Sequence, residues 1–124
     1  MSQQQKPAKV LVVDDDPVIR DMMVDMLDFE GYPVQVVRSG NDALNILRGD
    51  GNFLVFLDLM MPGLSGKDVC IILDEEPQVR YRHVIVLMTA MDKLDETQSL
   101  HLDRMLFKPF VVEDVMNVIE QFMV

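Results

Sequence analysis

Five short apolar runs, each separated from the next by a stretch with helical spacing, limit what this chain can fold into more than any other feature. The runs cover residues 9–13, 33–37, 53–57, 84–88 and 104–107 and are denoted β1 to β5. The first, third and fourth are almost unbroken in Val, Leu, Ile and Phe. A strand with one wet face alternates apolar and polar residues, whereas an unbroken apolar strand is buried on both faces. Strands of that kind, alternating with helices, form a parallel sheet covered by helices on both sides. The expected class is therefore α/β, doubly wound.

The intervening stretches carry helix signals. Asp16 followed by Pro17 is a good N-cap and first-turn pair, and Val18, Ile19, Met22, Met23, Met26 and Leu27 recur at helical spacing until Gly31. This is α1. Residues 39–47 read as a short amphipathic α2, and residues 67–73 as α3, ending before Pro77. The segment 61–66, with one Pro and two Gly, is a loop. Residues 92–102 are polar and weakly periodic and are assigned to a short α4. Residues 112–123 form α5, with Val115, Val118, Ile119 and Phe122 on one face.

A length of 124 residues suits one domain with one core, so the expected organisation is a polar tail over 1–8 and a single domain over 9–124. No apolar run approaches the roughly 20 residues that a membrane span needs, and MSQQQKPAK lacks the apolar segment of a signal peptide. The expected location is the cytoplasm. A net charge of −10 repels phosphate backbones and argues against direct nucleic-acid binding. The single cysteine, Cys70, falls in an apolar helical stretch and reads as a buried core thiol. His83 and His101 have no ligand-spaced partner and are expected at the surface. The methionines near the strand ends, Met60, Met61, Met88, Met91 and Met105, read mainly as core filler.

In doubly wound sheets ligands gather beyond the carboxyl ends of the strands. There the sequence places Asp14 and Asp15 after β1, Asp58 after β3, Thr89 after β4 and Lys108 after β5. Three converging carboxylates repel one another unless a hard cation such as Mg²⁺, which prefers oxygen ligands, neutralises them. A short aspartate side chain on a rigid strand end can be aimed in line at a phosphoryl group. Thr89 can donate a hydrogen bond, and Lys108 a positive charge, to phosphoryl oxygens. Each such residue alone has a mundane reading, since Asp after a strand often only caps the next helix and Lys-Pro is a common turn. Five together, in strand order, point to phosphoryl transfer onto a carboxylate.

The motifs VLVVDDDP at 10–17, FLDLMMPGLSG at 56–66, LMTA at 87–90 and FKPF at 107–110 resemble those of the response regulator receiver family over essentially all of residues 9–124. The resemblance implies a flavodoxin-like three-layer sandwich with strand order 2-1-3-4-5. It also implies a Mg²⁺ site in which Asp15 and Asp58 bind directly, Asp14 assists through water and the Met60 backbone carbonyl completes the protein ligands. Asp58 would accept a phosphoryl group from the phosphohistidine of a sensor histidine kinase or phosphotransfer protein, with Thr89 and Lys108 holding the adduct. Output would pass through the α4–β5–α5 face to a protein partner or an effector domain, with a homodimer as one form. The chain would be a switch that catalyses only its own phosphorylation and dephosphorylation.

Some features depart from the family's pattern. The interval from Thr89 to Lys108 is short by about three residues, nearly one turn of helix. The Gly-Ala pair usual before β5 is replaced by part of His101-Leu102-Asp103-Arg104, the switch aromatic in β5 by Met105, and an acid before Gly66 by Ser65. Met60 and Met91, two residues beyond Asp58 and Thr89, are apolar where the family positions the water that removes the phosphoryl group, which implies slow self-dephosphorylation. Two rival readings are a receiver-like fold that signals without phosphorylation, which the intact site residues oppose, and an aspartyl-phosphate phosphatase. Those phosphatases place a second acid two residues after the nucleophile, where this chain has Met60.

Overall fold

The computed structural model describes residues 6–124. Five strands lie parallel in the order β2-β1-β3-β4-β5. They are β1 (Lys9–Val13), β2 (Val34–Val37), β3 (Phe53–Asp58), β4 (Val84–Ala90) and β5 (Arg104–Lys108). The helices α1 (Pro17–Phe29), α2 (Gly40–Arg48), α3 (Gly66–Asp74) and α5 (Val112–Met123) cover the two faces. The doubly wound class and the strand order are as expected. Of the tail expected over 1–8, residues 1–5 lie outside the described residues. Pro7 is already buried, and the Ala8 N–H donates to the Asn52 carbonyl at 3.1 Å.

Every residue of β3 is buried, as an unbroken FLVFLD strand in the middle of the sheet must be. Two apolar layers result. Val10, Val12, Leu54, Phe56, Val86 and Met88 point to one face and meet Met23, Leu27, Val115 and Ile119 of α1 and α5. Leu11, Val13, Val55, Leu57, Ile85 and Leu87 point to the other and meet Leu44, Leu47, Val69 and Leu73 of α2 and α3. Cys70 belongs to this second layer, and burial pushes its thiol up to about 12, consistent with a packing role alone.

The helix starts follow from their caps. Asp16 accepts the Val18 N–H at 2.9 Å, and Ser39 accepts the Asp42 N–H at 3.1 Å. Ser65 and Asp68 form a reciprocal capping box at the head of α3, so the serine in place of an acid there keeps the helix start intact.

Two expectations need correction. The α4 expected over 92–102 is instead a 3₁₀ helix, Met91–Thr97, followed by irregular chain to β5; the label α4 is kept for this 3₁₀ segment. Its polar sequence offers no apolar stripe to anchor a longer helix. Thr97 turns its hydroxyl back on the Leu94 carbonyl at 2.7 Å, a local bond that competes with helical continuation. A separate helical turn, Pro77–Arg80, follows α3, started by the proline that was expected only to end it. The second correction concerns His83. It is fully buried, its Nδ1 accepting the Phe53 N–H at 3.1 Å and its Nε2 lying 2.9 Å from the Leu47 carbonyl oxygen. His101 is exposed as expected, 3.5 Å from Asp74.

Candidate functional site: an acidic pocket at the strand ends

Asp14, Asp15 and Asp58 each offer a carboxylate oxygen, and the three oxygens lie within 4.8 Å of one another. Asp14 and Asp58 are buried while Asp15 is exposed, so the pocket opens to solvent on the Asp15 side. Asp14 is held from three directions. Its Oδ1 accepts the Asp16 N–H at 2.9 Å, its carbonyl accepts a bond from the Arg20 guanidinium at 3.0 Å, and its Oδ2 accepts from Lys108 Nζ at 3.1 Å. Asp58 Oδ1 lies 3.3 Å from the same Nζ and 3.4 Å from the Met60 N–H.

Lys108 stands on the edge strand, two strands from Asp58. With a strand spacing of about 4.8 Å that separation is roughly 10 Å, which only a long side chain can bridge, whereas the short aspartates already stand at the centre. Hence the residue types suit their places: a rigid acid on β3 and a reaching cation on β5. Burial and the neighbouring Asp14 charge raise the Asp58 carboxyl from its ordinary value to about 6, although Lys108 opposes the shift. For Lys108, burial works against the ammonium, yet the Asp58 and Asp14 carboxylates outweigh it and hold the group above its usual range.

The residues expected at the site divide into two groups. Asp14, Asp15, Asp58 and Lys108 are brought together, with the Met60 backbone beside Asp58. Thr89 is buried at the end of β4, opposite Phe107 in register, and its hydroxyl donates to the Ala90 carbonyl at 3.2 Å. Two supporting residues were not singled out from the sequence. Arg20 fixes the Asp14 backbone from the first turn of α1, a contact legible only once the strand-to-helix turn is known. Gly66 packs directly on the Asp58 carbonyl group; a Cβ there would sit 2.9 Å from the carbonyl carbon and closer still to its oxygen, so any side chain displaces the end of β3 that carries Asp58.

The donor set fits a hard divalent cation, being all oxygen, anionic and open on one side. The family model for the response regulator receiver domain matches residues 10–120. "Response regulator MprA" of Mycolicibacterium vanbaalenii is 35% identical over 117 residues, which cover 89% of this chain and 48% of that protein. The chain thus spans about half the length of that curated relative. Among solved structures, the response regulator protein TrrA of Thermotoga maritima, in complex with Mg(2+)-BeF, is similar with a TM-score of 0.79 and 28% identity, over 93% of this chain and 98% of that one. A CheY-like response regulator receiver domain protein from Methanospirillum hungatei superposes with a TM-score of 0.80 and 28% identity, over 93% of each chain. The chain belongs to the response regulator receiver domain family of two-component systems.

Proposed function

We propose that the chain is a Mg²⁺-dependent phospho-acceptor switch in which Asp58 takes a phosphoryl group from a phosphohistidine. The donor is a sensor histidine kinase or a phosphotransfer protein. The observation that carries this reading is the convergence of three carboxylates and one lysine ammonium at the end of a fully buried strand. Asp14, Asp15 and Asp58, with the Met60 backbone carbonyl, would hold the ion. Bound there, Mg²⁺ offsets the carboxylate charge and that of the incoming phosphoryl oxygens.

The protein groups have distinct tasks. An Asp58 carboxylate oxygen forms the new bond to phosphorus, and the nitrogen–phosphorus bond of the donor breaks, returning the electron pair to the imidazole. A carboxyl held at about 6 is mostly ionised at neutral pH, so the nucleophile is available without a separate base. Lys108 Nζ, already between Asp14 and Asp58, can follow the charge onto the phosphoryl oxygens. Thr89 can turn its hydroxyl from Ala90 to the adduct. An apolar cleft lined by Ile19, Met22, Pro109 and Phe110 adjoins Lys108, which suits a protein donor better than a small metabolite. Output passes through the α4–β5–α5 face to a protein partner, a second copy of the chain or an effector domain. The chain catalyses only its own phosphorylation and dephosphorylation.

Incubation with Mg²⁺ and acetyl phosphate, followed by intact-mass spectrometry and peptide mapping, tests the proposal. One phosphoryl group on Asp58 is expected, absent in Asp58→Asn and in wild type with excess chelator. An adduct that persists in Asp58→Asn overturns the assignment, and rapid multiple turnover of phosphate esters points to a phosphatase.

A further inference from the structure

We propose that Met60 and Met91 form a paired oxidation site, at which peroxides convert both thioethers to sulfoxides and shorten the life of the phosphoryl group on Asp58; the second half of this statement rests on the phospho-acceptor reading above. Of the ten methionines among the described residues, only these two are exposed, at 55% and 62%. Met23 and Met88 are wholly buried, and the others are buried or half-buried. Core filling accounts for those eight and not for this pair.

The two exposed thioethers also share a location. Met60 lies two residues beyond Asp58 on β3, and Met91 two residues beyond Thr89 on β4. β3 and β4 are neighbours, with Asp58 opposite Met88 in register, so both methionines leave the sheet at the mouth of the acidic pocket. Met60 is in direct contact with the acceptor, its N–H lying 3.4 Å from Asp58 Oδ1. Of the described methionines these two present the most surface to an oxidant arriving from solvent.

The chemistry is balanced with a two-electron peroxide oxidant such as hydrogen peroxide. The thioether sulfur attacks one peroxide oxygen, the oxygen–oxygen bond breaks, a sulfur–oxygen bond forms and the remaining oxygen leaves as water. Sulfur gives up two electrons and the peroxide takes them. A thioether is a weak acceptor that sheds water, whereas the sulfoxide oxygen accepts hydrogen bonds well. Two sulfoxides at the mouth of the pocket therefore hold water beside an acyl phosphate that water destroys. Sulfoxide reductases can reverse the change, which makes it usable as a signal.

The test uses the full chain and dilute hydrogen peroxide. Peptide mapping after a short exposure is expected to show sulfoxide on Met60 and Met91 while Met23 and Met88 remain unoxidised; prior oxidation of the buried pair overturns the site. The adduct is then formed with Mg²⁺ and acetyl phosphate, and its decay is followed in oxidised and untreated protein. Oxidation is expected to shorten the half-life by about three- to tenfold, the effect of one or two well-placed hydrogen bonds to the attacking water. A Met60→Leu, Met91→Leu double variant, compared with its own untreated form, is expected to lose this response, and an equal shortening in it overturns the coupling. Sulfoxides with an unchanged half-life also overturn the coupling. Failure of untreated protein to form any adduct overturns the phospho-acceptor reading and the lifetime claim with it, while the peptide map still judges the oxidation site.

Discussion

Asp58 is held at a cost that the rest of the site is arranged to limit. Its carboxyl rises to about 6 because it is buried and faces Asp14, and Lys108 keeps it from rising further. A carboxyl whose folded value exceeds its unfolded one stabilises the fold while protonated, below the unfolded value near 3.8, and that contribution is lost as pH rises through about 6. Replacing Asp58 by the neutral Asn should therefore stabilise the metal-free protein above pH 6, by roughly 1–3 kcal/mol, and much less at pH 4. Urea denaturation in chelator at a series of pH values checks this, and an equal effect at both ends of the range rules it out. The same residues were the most legible in the sequence, because a strand followed by an acid needs no knowledge of long-range contacts to be noticed. Arg20 and Gly66 were not, since the carbonyls of Asp14 and Asp58 that they support are defined only by the finished turns.

At the level of elements, strands and long helices could be read because burial imposes a period on them, whereas α4 and His83 could not. The 3₁₀ helix Met91–Thr97 has no stripe of its own, and its shape depends on how the chain must return to β5. His83 is polar in sequence yet ties three elements together: the end of α2 through the Leu47 carbonyl, the start of β3 through the Phe53 N–H, and β4, which it immediately precedes. Arg82 reinforces the same corner, reaching the carbonyls of Leu47, Gly49 and Gly51. Because Nδ1 must accept the Phe53 N–H, the ring is neutral with its proton on Nε2, and protonation would set a donor against a donor. Burial accordingly lowers the His83 value, with Arg82 and Arg80 adding to the shift against the bond to Leu47. A depressed folded value gives stability that is present above the unfolded value near 6.5 and lost as pH falls below it. Asp58 slopes the opposite way in the same range, so a direct profile mixes the two. The difference between wild type and His83→Gln isolates the histidine. It is expected to shrink as pH falls from 7 to 5, by at most about 1.4 kcal/mol per pH unit, and a constant difference would exclude titration of this ring.

Over the whole molecule the sheet separates two unequal sides. All five strands pair continuously, and the β2–β1–β3 part is in addition covered by α1, α2 and α3. On the other side β4 runs into the 3₁₀ segment and the irregular chain before β5, held by few bonds. They include the Thr97 hydroxyl to the Leu94 carbonyl, the Leu100 N–H to the Thr97 carbonyl, Asp103 joined both to the Ile85 backbone and to Arg80, the Arg80 guanidinium to the His101 carbonyl, and His101 beside Asp74. Segments with sparse backbone bonding open at low free energy and respond first when a neighbouring contact changes. Thr89 is that neighbour: its hydroxyl occupies the carbonyl of Ala90, the residue that caps the 3₁₀ segment. If phosphorylation draws this hydroxyl to the adduct, Ala90 loses a partner and the change enters the α4 segment without disturbing β1 or β3. Hydrogen exchange measured with and without Mg²⁺ and beryllofluoride is expected to alter protection chiefly across residues 89–103, with Leu54 to Leu57 unchanged. No helix among the described residues is long and apolar enough to cross a membrane. A response confined to α1 and α2 would place the output away from the β4–β5 edge of the sheet and refute the α4–β5–α5 assignment.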